Sequence, residues 1–457
     1  MAFQISLLHI VGAGTIAAFL ISKIKGYSLL DILPLVYLAT IPLYITVYQS
    51  YIYPFYISEL RHVPTVPGYP LWGQFIEIIT KECGVPQRQW HQEHGPIIRY
   101  FFPFGAERLA LWMVRILGEG VLLAEGSAHV HQRKALAPGF SIGSIRALSP
   151  VFWQKALLLS RLWKEEMEQS RVTTKCFEVL EWLNRTTLDI IGQAGFGTDI
   201  NSLENPDTPI REAYRLVFAF DIGSRILHGL QAFIPTGEEG LSFETMRDQV
   251  MTFLGAGHDT TATGVAWTLH LLSKYPSIQS RLRDEIKHFM PFLFDPAMRY
   301  DAESLAKADA DQLPYLDNVC RESLRYIPPI PMTVRESIAD DQLGDYHVPG
   351  GTVIYVLANA INRLPMYWGP TADEFNPDRW DKLPETYTTN AFMTFLQGPR
   401  GCVGRKFAET EMKIILCCLL SLYEFDMDRS VVDPESLKMW RLVLRPRDGV
   451  SLKVKTL

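Results

Sequence analysis

The chain has 457 residues, 47% of them hydrophobic and 21% charged, with a formal net charge of −6. That is enough chain to bury a large core, as one big domain or two ordinary ones. The small net charge and the lack of a long Lys/Arg run argue against a nucleic-acid partner. The six cysteines (Cys83, Cys176, Cys320, Cys402, Cys417 and Cys418) form no CxxC pair and no regular spacing. Neither a zinc site nor a disulfide framework is indicated, and the usage is that of a reducing compartment.

The first elements are two apolar runs, residues 5–21 and 32–48. Each is close to the lower limit for a membrane-spanning helix at about 1.5 Å per residue. The basic Lys23 and Lys25 follow the first run instead of preceding it, which disfavours a cleaved signal peptide. Tyr48, Tyr51, Tyr53, Phe55 and Tyr56 crowd the exit, as at a membrane interface. The expectation is an N-terminal membrane anchor of one or two transmembrane helices over residues 1–58. A stiff hinge carrying Pro64, Pro67, Gly68 and Pro70 follows over 59–70. The main domain, 71–457, is expected to face the cytoplasm.

That domain reads as mainly α with a small β region. A short hairpin is predicted from Pro96–Tyr100 and Leu109–Trp112. Helical spacing marks Ser144–Gln169, Lys175–Gln193, Asp207–Gly223, Leu241–Ser273, Ile278–Phe289, Tyr315–Tyr326 and Gly404–Tyr423. A second β region is predicted from Tyr346 to Val356, turning at Gly350-Gly351.

Four places break local rules, which is where function tends to show. The helix around 241–273 is apolar on most sides yet carries Gly255, Ala256, Gly257, His258, Asp259 and Thr260 in its middle. Two interior glycines cost about 1 kcal/mol each against alanine, and a buried aspartate needs a partner. A plain kink would explain them; so would a groove where backbone meets a ligand and Asp259 and Thr260 handle protons. Glu322 and Arg325 share a helix face at i, i+3, with Arg379 as a candidate third member; alone, such pairs are common. Three glycines and a proline surround Cys402 in the stretch from Phe395 to Gly404. A cysteine at a helix N-terminus beside Arg400 favours the thiolate, a soft ligand for iron. A nucleophile or an inert thiol are the rivals, but no histidine lies in this loop to serve as base. His129 and Arg133, at i and i+4, point the same way and form an anion-binding pair or a solvated basic face.

In this order the four motifs resemble the cytochrome P450 family, in the microsomal and fungal style, over roughly residues 60–455. The resemblance implies a P450-like fold preceded by the transmembrane helices, holding heme b with Cys402 as proximal iron ligand and Phe395 shielding the sulfur. It implies propionate contacts from His129, Arg133, Arg335 and Arg400. Asp259 and Thr260 would deliver protons for dioxygen cleavage. Glu322, Arg325 and Arg379 would be a structural network, and Ala256, Gly257, Ile330, Met332 and Thr333 would line the substrate pocket. It implies a monooxygenase at the endoplasmic reticulum membrane, fed by NADPH through a cytochrome P450 reductase. Such an enzyme inserts one oxygen atom into an apolar small molecule, in the fungal style within secondary metabolism. The chain departs from the family in two places: tens of residues are missing near 112–113 and near 235–240. This motivates an alternative, an incomplete and inactive haem-binding membrane protein. A reductase-independent isomerase or peroxygenase is a second alternative, disfavoured by Asp259-Thr260.

Overall fold

The computed structural model describes residues 2–26, 28–47, 52, 56–68, 73–81, 85–100, 119–211, 243–440 and 443–457. They fall into two compact units, the first comprising residues 1–81, 86–106 and 334–354 and the second 82–85, 107–333 and 355–457.

In the first unit, helices Ala2–Lys25 and Leu29–Val47 form where the apolar runs lie. Gly26, at φ 73°, ends the first helix in the left-handed region that glycine tolerates best. The pair closes through Ala18, Ile32 and Val36, and Thr15 Oγ1 lies 2.7 Å from Tyr37 Oη. Among the described residues no helix is long and apolar enough to cross a membrane. The two helices pack as a helical hairpin. Ser22, Lys23 and Lys25 close its first helix, and Asp31 sits in the first turn of its second. In the first half of the predicted hairpin, the Arg99 backbone bridges Pro64 and Val66 in the Pro-rich stretch. The other half, Leu109–Trp112, lies outside the described residues. The predicted β region turning at Gly350-Gly351 is present as two strands, each with its own partner. Tyr346–Val348 pairs with Asp341–Leu343, and Val353–Val356 pairs with Thr333–Glu336.

The second unit is mainly helical. Its core gathers from helices Ile142–Gln169, Val179–Phe196, Phe243–Lys274 and Arg405–Leu420. Helix Ile142–Gln169 starts where Ser141 caps the Ser144 N–H, and buries Phe152, Trp153, Leu159 and Trp163 at helical spacing. The central helix, Phe243–Lys274, is continuous through Gly255 and Gly257. One correction concerns Lys175–Gln193. Its first residues form strand Thr174–Glu178, because they pair with Ser451–Thr456, which also pairs with Tyr423–Met427. The helix begins only at Val179, capped by the Glu178 carboxylate on the Glu181 N–H. The predicted helix at 207–223 and both shortened places lie largely outside the described residues.

Candidate functional site

The Cys402 loop is closed by its own backbone. The Cys402 N–H donates to the Phe395 carbonyl at 2.8 Å, and the Gly401 N–H to the Gly398 carbonyl at 3.0 Å. Gly398 sits at φ 71° and Leu396, a branched residue, at φ 56°. A non-glycine held there costs on the order of 1–3 kcal/mol, a strain typical of functional loops. Cys402 is exposed, yet enough protein surrounds its sulfur that burial pushes its thiol above the ordinary range. The Gly404 N–H, Arg133 and Arg405 oppose that shift without reversing it. The expectation that Arg400 would favour the thiolate is corrected, because Arg400 binds the Ala124 carbonyl at 2.7 Å and the Glu125 carboxylate.

Helix Gly126–Leu136 brings its basic pair to this loop. Arg133 Nη1 donates to the Gly401 carbonyl at 2.7 Å. His129 is buried, and its imidazole is held below its ordinary pKa by burial and then by the charges of Arg400 and Arg133. So three of the expected propionate contacts do converge beside the cysteine loop. Arg335 belongs to the first unit, where it is exposed and donates to the Val334 carbonyl at 2.7 Å. Phe395 is half-buried, with the Arg405 guanidinium 5.2 Å from its ring centre.

On the central helix, Ala256 is exposed and Thr260 half-buried, and the Thr260 hydroxyl donates to the Ala256 carbonyl at 2.9 Å. Asp259 is buried and ion-paired with Arg445. Gly257 is corrected as a pocket residue: a Cβ there would lie 3.2 Å from the Ile191 side chain. Its smallness serves close packing on Val179–Phe196, where the Thr187 hydroxyl also reaches the His258 carbonyl at 2.9 Å. Ile330, Met332 and Thr333 are half-buried just past Pro328-Pro329.

The expected network is present and dense. Glu322 accepts from Arg325 Nε and Nη2, each at 2.8 Å, and from Arg379 Nε at 3.3 Å. It also accepts from Trp380 Nε1 at 3.1 Å and the Asn376 N–H at 2.9 Å. Arg325 spends its remaining donors on the carbonyls of Asn362, Ala372 and Glu374. A fully buried ion pair needs this degree of hydrogen bonding to persist. Two residues escaped the sequence reading. Arg445 is remote in sequence from Asp259, and Glu411 is a fully buried acid in helix Arg405–Leu420. Burial drives the Glu411 carboxyl far above the carboxylate range, with Thr261 as its opposing contact.

Among the described residues Cys402 belongs to no cluster of three metal-ligating side chains. A metal held by this sulfur must therefore bring its other ligands with it, as a macrocycle does. His129, Arg133 and Arg400 supply basic groups suited to that macrocycle's carboxylates. The donor set fits haem, and the fold and site define a haem-thiolate protein. The Cytochrome P450 family model matches residues 104–221 and 220–454. The cytochrome P450 monooxygenase sphH of Aspergillus fumigatus is 29% identical, over 89% of this chain and 90% of its own length. The cytochrome P450 monooxygenase FUM15 of Gibberella moniliformis is 30% identical, over 86% and 88% respectively. ALT8 of Alternaria alternata, a third P450 monooxygenase, is 28% identical, over 90% and 92%. The chain belongs to the cytochrome P450 family and is a monooxygenase. The sphH alignment spans 494 positions although only 89% of the chain takes part. Tens of positions in that relative thus have no counterpart here.

Proposed function

We propose that the protein is a reductase-fed monooxygenase acting on an apolar small molecule. The observation that carries this is a lone exposed thiol in a closed loop beside His129, Arg133 and Arg400. Haem, when bound, supplies the redox chemistry that splits dioxygen. The chain's own part is to hold and protonate. Cys402 offers the sulfur, and Phe395 walls one side of it. His129, Arg133 and Arg400 neutralise the propionates. Asp259 relays protons from Arg445's side of the helix toward the Thr260 hydroxyl, which hands them to the pocket. Ala256, Ile330, Met332 and Thr333 give that pocket an apolar lining with one hydroxyl, which suits an apolar substrate with few polar groups.

NADPH enters through a P450 reductase at the endoplasmic reticulum membrane, with the catalytic domain on the cytoplasmic side. Membrane attachment is supported by the outward face of the N-terminal hairpin, where Ile16, Phe19, Ile24, Leu30, Leu35 and Leu38 are exposed. The test is turnover with purified reductase, NADPH and isotopically labelled dioxygen over a panel of apolar compounds. One labelled oxygen atom per product molecule is expected. Haem-loaded protein that accepts electrons but labels no compound would overturn the proposal.

A further inference from the structure

A second set of ligating side chains lies at the far end of the central helix. His270 is 1% exposed, and neither ring nitrogen makes a hydrogen bond of good geometry. A buried imidazole without a hydrogen bond is unusual. Its Nε2 points at two carboxylates, 3.2 Å from Asp433 Oδ1 and 3.4 Å from Glu435 Oε1. Ligand atoms about 2.0–2.1 Å from a tetrahedral ion lie roughly 3.3–3.4 Å from one another. The two edges from Nε2 thus have the length of such a polyhedron's edges, and all three ligand atoms lie within 4.8 Å of one another. One imidazole and two carboxylates are a donor set that zinc accepts.

A cation already stands near this place. Lys274 Nζ is 3.2 Å from Asp433 Oδ2 and 2.7 Å from Glu435 Oε1. Lys274 is partly exposed, on a long flexible stem that reaches solvent without moving the helix.

We propose that His270, Asp433 and Glu435 bind a divalent transition-metal cation of the zinc class, which displaces the Lys274 ammonium. The ion would pin the Pro434–Leu437 turn to the central helix. That turn runs directly into strand Lys438–Trp440, whose partner strand Leu444–Pro446 carries Arg445. The metal would thereby steady the hairpin that holds Asp259's ion-pair partner, linking this site to the proton-handling stretch.

The experiment is calorimetric titration of the full-length, haem-loaded protein with zinc chloride, beside Lys274→Met and His270→Gln. Zinc is expected to bind at one site per chain. Lys274→Met, which removes the competing charge, should tighten binding on the order of tenfold or more, and His270→Gln should lose that site. A gain in affinity cannot arise from misfolding, so Lys274→Met decides even if His270→Gln fails to fold. Zinc uptake unchanged in Lys274→Met, retained in a folded His270→Gln, or absent from both wild type and Lys274→Met would overturn the proposal.

Discussion

Glu322→Gln is the sharpest perturbation of the fold beneath the site. The glutamate takes five donors on two oxygens, and the amide keeps only one acceptor. The better orientation leaves the amide oxygen where Oε1 is, facing Arg325 Nη2, Asn376 and Arg379. Arg325 Nε and Trp380 Nε1 then face an N–H group and are stranded. Each stranded buried donor costs about 1–3 kcal/mol. Two guanidinium groups also lose their counter-charge in a site where Arg325 is 0% exposed. The carbonyl bonds of Arg325 soften this loss, so the total is about 3–5 kcal/mol. That is a large share of the roughly 5–15 kcal/mol by which domains are stable. Denaturant titration followed by tryptophan fluorescence reads it directly, since Trp368 and Trp380 lie in the network. A midpoint shift worth less than about 1 kcal/mol would refute the claim that Glu322 is the hub.

Thr260→Ala should leave the haem spectrum intact but divert oxygen consumption from product; unchanged coupling, measured as product per NADPH, would contradict the proton role. Acid should destabilise the protein through His258. Its buried imidazole is lowered from 6.5 to about 4, by burial first, against the Leu254 carbonyl, with Arg445 adding to the lowering. The unfolded chain takes this proton before the folded one does. The stability cost is thus absent above about pH 6.5, grows as pH falls, and is complete below about pH 4, at about 3 kcal/mol. His258→Asn should remove that part of the slope. Identical pH profiles for the two proteins would show the imidazole to be solvated or paired.

Much of the site was legible because its chemistry is local in sequence. Cys402 stands among turn glycines, His129 and Arg133 share one helix face, and Glu322 and Arg325 lie one turn apart. What was not legible is set by contacts between remote segments. Thr174–Glu178 has helical spacing, yet pairing with the C-terminal strand decides it. Gly257 looks like a ligand groove until Ile191 is seen against it. Arg400 adjoins Cys402 in sequence, but its guanidinium belongs to Ala124 and Glu125. Asp259 plainly needed a partner, and only the fold shows that it is Arg445.

The ferrous carbon monoxide difference spectrum of the full-length protein beside Cys402→Ala bears most directly on the sulfur. Thiolate-held haem gives a band at about 450 nm, present in the wild type and absent from Cys402→Ala. The same band in both proteins, or haem-loaded wild type without it, would mean that Cys402 is not the iron's ligand.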